Sequence, residues 1–67
     1  MKKEKRLAKE IRLLGHSYQS IADIIGVSKQ SISNWVNGEN RMSPLMVMKL
    51  SECGISKKAL ANPTELI

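Results

Sequence analysis

Four side chains within six residues stand out for the chemistry they can do: Lys29, Gln30, Ser33 and Asn34. They lie in and just after the stretch GVSKQS, inside GVSKQSISNW, residues 26–35. An ammonium only donates hydrogen bonds, while carboxamides and a hydroxyl both donate and accept. Groups of this kind suit a partner with a patterned edge, such as the base pairs exposed in the DNA major groove. There Gln and Asn pair bidentately with adenine, and Lys reaches guanine O6 and N7. The same stretch carries apolar residues at helical spacing. Ile32, Trp35 and Val36 fall on one side at about 100° per residue. Lys29, Gln30, Ser33, Asn34 and Asn37 fall on the other, with Ser31 between them, small enough to pack close to a neighbouring helix. Alanine or glutamate would make a steadier helix, so propensity gives way here to hydrogen-bonding capacity.

The elements that must hold this stripe are legible from punctuation. Leu7, Ala8, Ile11 and Leu14 recur at helical spacing and stop at Gly15, which predicts a first helix over about 2–14. Ser17 caps a second, about 18–25, with Ile21, Ala22, Ile24 and Ile25 as its apolar side and Gly26 as its stop. Ser28 caps the third, about 29–36, before the Asn37-Gly38 turn. Ser43-Pro44 opens a fourth, about 44–53, and Ser56 a short fifth, 57–61, ended by Asn62-Pro63. No segment alternates with period two, so no sheet is expected.

Composition bounds the rest. The chain has 67 residues, the size of one small domain expected over 1–67. With no Phe, one Trp and one Tyr, its core must be built from seven Leu, seven Ile, three Val and four Met. Met42 and Met46 with Met48 fit irregular core space, Trp35 and Cys53 read as core residues, and His16 follows a helix end. Eleven Lys and Arg against six Asp and Glu give +5, and Lys2, Lys3, Lys5, Arg6, Lys9 and Arg12 crowd the N-terminal end. That excess suits a polyanion, either nucleic acid or an anionic membrane surface. A single cysteine forms no internal disulfide and fits a reducing cytosol. No apolar run reaches membrane-spanning length and no signal-like apolar segment follows the basic N-terminus. A lone His, a lone Cys and no Gly-rich phosphate loop leave nothing to assemble into a nucleophile, base or metal cage, so no enzyme, cofactor or small-molecule ligand is expected.

The helices on either side of Gly26 are in register for a helix-turn-helix. Ala22 is small where two helices cross, Gly26 suits a positive φ, Val27 tucks the turn inward, and Ile32 and Trp35 face back. The segment SYQSIADIIGVSKQSISNWVNGENRMSP, residues 17–44, resembles the DNA-binding core of the lambda-repressor and Cro-like, XRE-type family. The resemblance rests on Ile21, Ala22, Gly26, Val27, Ser28, Ile32, Trp35, Asn37 and Gly38, and the flanking helices and GISKKALANP extend it over nearly the whole chain. It implies an all-α, compact five-helix lambda-repressor-like domain with a central helix-turn-helix, whose third helix enters the major groove. Lys29, Gln30, Ser33 and Asn34 match the family's base-reading positions, and Ser28 a capping position that also touches backbone. Tyr18 stands where the family often places a phosphate-contacting Gln, and Asn37, Asn40 and Arg41 match the loop that grips phosphate.

The resulting expectation is a sequence-specific double-stranded DNA-binding regulator in the cytoplasm. It is most like a small phage Cro-like repressor acting by operator occlusion as a homodimer on a pseudo-palindrome. Leu60, Pro63, Leu66 and Ile67, apolar and beyond the core helices, are the expected subunit contact; the alternative is that they cover the protein's own core. The alternatives are a DNA-binding antitoxin, or a module that buries its Met-rich and C-terminal apolar surface on a protein partner. Membrane association through the basic first helix is the weakest reading, because its apolar stripe lacks aromatics and is needed for the core.

Overall fold

Serine caps and glycine stops divide residues 3–67, those described by the computed structural model, into five helices. They are α1 (Arg6–Leu13), α2 (Tyr18–Ile25), α3 (Lys29–Asn37), α4 (Pro44–Glu52) and α5 (Lys57–Ala61). Four begin at a serine whose hydroxyl accepts the N–H three residues on. Ser17 accepts from Ser20 (3.1 Å), Ser28 from Ser31 (3.2 Å), Ser43 from Met46 (3.3 Å) and Ser56 from Ala59 (3.2 Å). Each bond satisfies a donor that a helix start leaves unpaired, contributing about 1 kcal/mol. α3 runs one residue beyond the spacing, to Asn37, and α4 ends one sooner, with Cys53 as its C-cap.

α1 departs from the sequence expectation. Lys2 lies outside the described residues, and residues 3–5 are not helical, with Lys5 extended. Lys5 forms an antiparallel bridge with Leu66. Glu4 N–H donates to the Ile67 carbonyl (3.1 Å), Ile67 N–H returns a bond to Glu4 (2.9 Å), and Arg6 N–H donates to Glu65 (2.6 Å). The two ends of the chain thus pair, and this long-range pairing overrides local helix propensity. Among the described residues the bridge is isolated and no strand forms.

The core is aliphatic, as composition requires. Leu7, Ile11, Ile21, Ile32 and Leu50 are fully covered, and Ala22, Ile25, Trp35, Val36, Ile55, Ala59 and Leu60 complete the cluster. Ala22 at zero exposure lets α2 approach α3, the most extensive helix packing in the fold. Two placements correct the sequence reading. Leu60 is only 9 % exposed: α5 turns Ala59 and Leu60 inward and leaves its lysines outside, so Leu60 is spent on the protein's own core. Met48 stands 53 % exposed, whereas Met42 and Met46 pack against the core.

Polar tethers hold the helices at their ends. The Glu10 carboxylate on α1 accepts from both the N–H (2.8 Å) and the hydroxyl (2.6 Å) of Ser56, anchoring the start of α5. Lys49 on α4 donates to the Ile25 carbonyl (3.2 Å), where the end of α2 carries negative partial charge. No helix among the described residues is long and apolar enough to cross a membrane.

Candidate nucleic-acid interface

The angle between α2 and α3 is set by Gly26. Its φ is +80°, and its N–H and that of Val27 both donate to the Ala22 carbonyl (2.8 and 2.9 Å). A Cβ on Gly26 would meet nothing within 4 Å, so the position needs glycine for its backbone conformation and not for space. Val27 packs against the core and pins the turn, and Ser28 then starts α3.

Once the turn is set, α3 can face only one way. Ile32, Trp35 and Val36 are buried, which leaves the opposite stripe toward solvent. Lys29, Gln30 and Asn37 are exposed, and Ser33 and Asn34 are half-buried. The stripe is knitted along its length by bonds one helical turn apart. Gln30 Nε2 donates to Asn34 Oδ1 (2.9 Å), and Asn37 Nδ2 donates to Ser33 Oγ (3.3 Å). The first bond leaves Gln30 Oε1 as an acceptor beside the remaining Asn34 N–H donors. That donor-and-acceptor pairing complements an adenine edge, with its N6 donor and N7 acceptor.

The expected backbone-gripping residues flank this stripe. Ser28 is occupied as the cap of α3, with its Oγ also 3.1 Å from Ser31 Oγ. Tyr18 opens α2 and is half-buried; burial, and then the nearby Glu4 charge, raises its phenol pKa, so it remains a hydrogen-bond donor. α3 ends in a Schellman closure. Glu39 N–H donates to Asn34 (2.9 Å) and Gly38 N–H to Trp35 (3.3 Å), with Gly38 at φ +78°. Asn40 and Arg41 follow in the exposed loop before α4. His16 bonds Ser20 Oγ through Nδ1 (2.9 Å), a local contact at the start of α2. Of the residues expected at a subunit contact, Pro63 is half-buried, while Leu66 and Ile67 are 57 % and 37 % exposed beside the terminal bridge.

The basic N-terminal cluster is partly neutralised by the fold. Arg12 binds Glu4 through both carboxylate oxygens (2.6 and 3.1 Å), and Arg6 pairs with Glu65. Lys5 takes a different course. Its Nζ lies 2.7 Å from Asn37 Oδ1, at the end of α3. Sequence reading missed this contact, because no local pattern reports a neighbour brought close by the pairing of the chain ends.

A family model described as Helix-turn-helix matches residues 7–53, well over half of the chain. The chain belongs to the lambda-repressor/Cro-like, XRE-type helix-turn-helix family. No curated protein and no solved structure matches it. As an XRE-type protein it is a regulator that binds double-stranded DNA, and its five-helix, all-α architecture is that of the family. The XRE-type match spans nearly all of α1 and runs through α4, so the terminal bridge and α5 lie outside it. Among the described residues no group of His, Cys, Asp and Glu is placed to hold a metal ion.

Proposed function

We propose that this protein is a Cro-like transcriptional repressor, one DNA-binding domain over residues 1–67, that occupies its operator as a homodimer and blocks polymerase by occlusion in the cytoplasm. The observation that carries the reading is the solvent-facing, mutually hydrogen-bonded stripe on α3. In this reading Lys29, Gln30, Ser33 and Asn34 contact base edges. Tyr18, Ser28, Asn37, Asn40 and Arg41 contact phosphate or sugar, which positions the protein but carries no sequence information.

One nine-residue helix reaches few base pairs. Two copies on a pseudo-palindrome, with recognition helices roughly 34 Å apart, double the readout. With Leu60 committed to the core, the subunit contact falls to Pro63, Leu66 and Ile67. A second reading, a module docked on a protein partner, draws on Leu45 and Met48, which are 52 % and 53 % exposed about one turn apart on α4.

Selection of bound duplexes from a random pool separates the two. The repressor reading expects a motif of two inverted half-sites with centres one helical turn apart. A pool that returns no motif overturns it in favour of the docking module. A single half-site bound by a monomer in sedimentation overturns the dimer alone.

A further inference from the structure

Lys5 lies outside the family-matched segment and outside the helix-turn-helix, yet it touches the end of the recognition helix. Its backbone is held by the terminal bridge to Leu66, which brings the ammonium within reach of the end of α3. A lysine ammonium has donors and no acceptor. The Asn37 atom facing it, 2.7 Å away, must therefore be Oδ1. That fixes the amide: Nδ2 faces Ser33, 3.3 Å off, and must donate to its Oγ. Ser33 thus spends one of its two lone pairs within the chain, and its O–H is not consumed by Asn37 and can donate outward. The three residues form a hydrogen-bond chain of forced polarity, running from Lys5 through Asn37 to Ser33.

The polarity matters because a serine hydroxyl is otherwise ambiguous. Ser pairs with either donors or acceptors on base edges. We propose that Lys5 is a positioning residue for base readout: acting through Asn37, it keeps the Ser33 O–H from being spent on the Asn37 amide oxygen, so that Ser33 is free to donate to a base edge bearing an acceptor. The candidates are guanine O6 or N7, adenine N7 and thymine O4. The inference rests on the reading that α3 enters the major groove, and it adds a specificity determinant that the helix-turn-helix alone does not contain.

The test is binding-site selection with the full chain, read for the unmodified protein and its variants, with thermal unfolding to check that each variant folds. S33A identifies the base pair concerned, lowering preference there by about fivefold, the size of one net hydrogen bond. K5M keeps the aliphatic stem and removes the donors. It should relax preference at that same base pair, with no further relaxation when combined with S33A. K5R, also a donor-only group, should restore the preference. N37D is the sharpest variant. Its carboxylate accepts from both Lys5 and Ser33, turning the Ser33 oxygen outward as an acceptor, so the preferred base should change to one presenting a donor, cytosine N4 or adenine N6. The proposal is overturned if K5M keeps the full preference and instead weakens all duplexes equally, with a salt slope shallower by about 0.9, which would make Lys5 a phosphate contact. An N37D protein that selects the unchanged base overturns it equally. If the unmodified protein returns no motif, the groove reading itself fails and the proposal with it; an S33A protein that selects an unchanged motif overturns the proposal alone.

Discussion

The helix-turn-helix and the terminal bridge are held together by different forces. The first is closed by apolar contact: Ala22, Ile25, Ile32 and Trp35 are almost wholly hidden from water, and one glycine sets the angle between the helices. The second is closed by backbone bonds and ion pairs at the surface, with Leu66 and Ile67 left partly in water. Burial on this scale stabilises strongly and tolerates salt and pH, whereas exposed ion pairs contribute little and are screened. The geometry on which α3 depends is therefore placed in the stronger region. The weaker region supplies an accessory, Lys5, at one end of the stripe.

The contrast is most severely tested at Ile32. Its truncation to Ala should cost about 2–5 kcal/mol in denaturant unfolding, enough to unfold a small domain, because the cavity lies where α3 meets the core. A loss below about 1 kcal/mol would show that the helix pair does not carry the fold. Asn34→Ala comes next and should leave stability nearly unchanged. It should lower affinity for the selected site by about 1–3 kcal/mol and relax preference at one or two base pairs. Equal weakening on random duplexes would assign Asn34 to backbone contact.

Gly26→Ala and Gly38→Ala sharpen the comparison between regions. Both glycines have positive φ, which costs a side-chain-bearing residue about 1–2 kcal/mol. Only Gly38 also has a neighbour in the way, since its Cβ would lie 3.0 Å from Thr64 Cγ2, in the segment that leads into the terminal bridge. Thermal unfolding should therefore rank Gly38→Ala as the more damaging, and the reverse order would uncouple α3 from the C-terminal segment. Arg41→Ala should weaken all duplexes alike and make the salt slope shallower by about 0.9. An unchanged slope removes Arg41 from the phosphate contacts.

Acid should produce the smallest effect and confine it to the bridge. Hydrogen bonding to Arg6 holds the Glu65 carboxyl below its ordinary value, and Arg12 does the same for Glu4. A carboxyl with a depressed folded value adds stability above its unfolded pKa and loses it as pH falls through the folded one. Protection of the Glu4, Arg6 and Ile67 amides from exchange, measured against the unstructured rate at the same pH, should then fall below the ordinary carboxylate range, while that of Ile32 is kept. A parallel loss of protection at Ile32 would merge the two regions into one cooperative unit.

Legibility in the sequence followed the range of the forces involved. The four serine caps and the closures at Gly26 and Gly38 are local bonds, three to five residues long, and a linear reading sees both partners. The α3 stripe is equally legible, since helical periodicity alone separates Ile32 and Trp35 from Gln30 and Asn34. Residues 3–5 depart from the helical spacing for the opposite reason, because nothing near them announces a partner at residues 65–67. Leu60 and Met48 show the same limit: both are apolar on short helices, and only packing decides which one turns inward.

By itself, then, the sequence determined an all-α, XRE-type chain with a polar reading helix, since helix starts, stops and faces arise from contacts between near neighbours. Tertiary structure alone decided that the chain ends meet and that Lys5 reaches Asn37. Those outcomes depend on pairing across the whole chain, where many partners compete and only the assembled core selects among them.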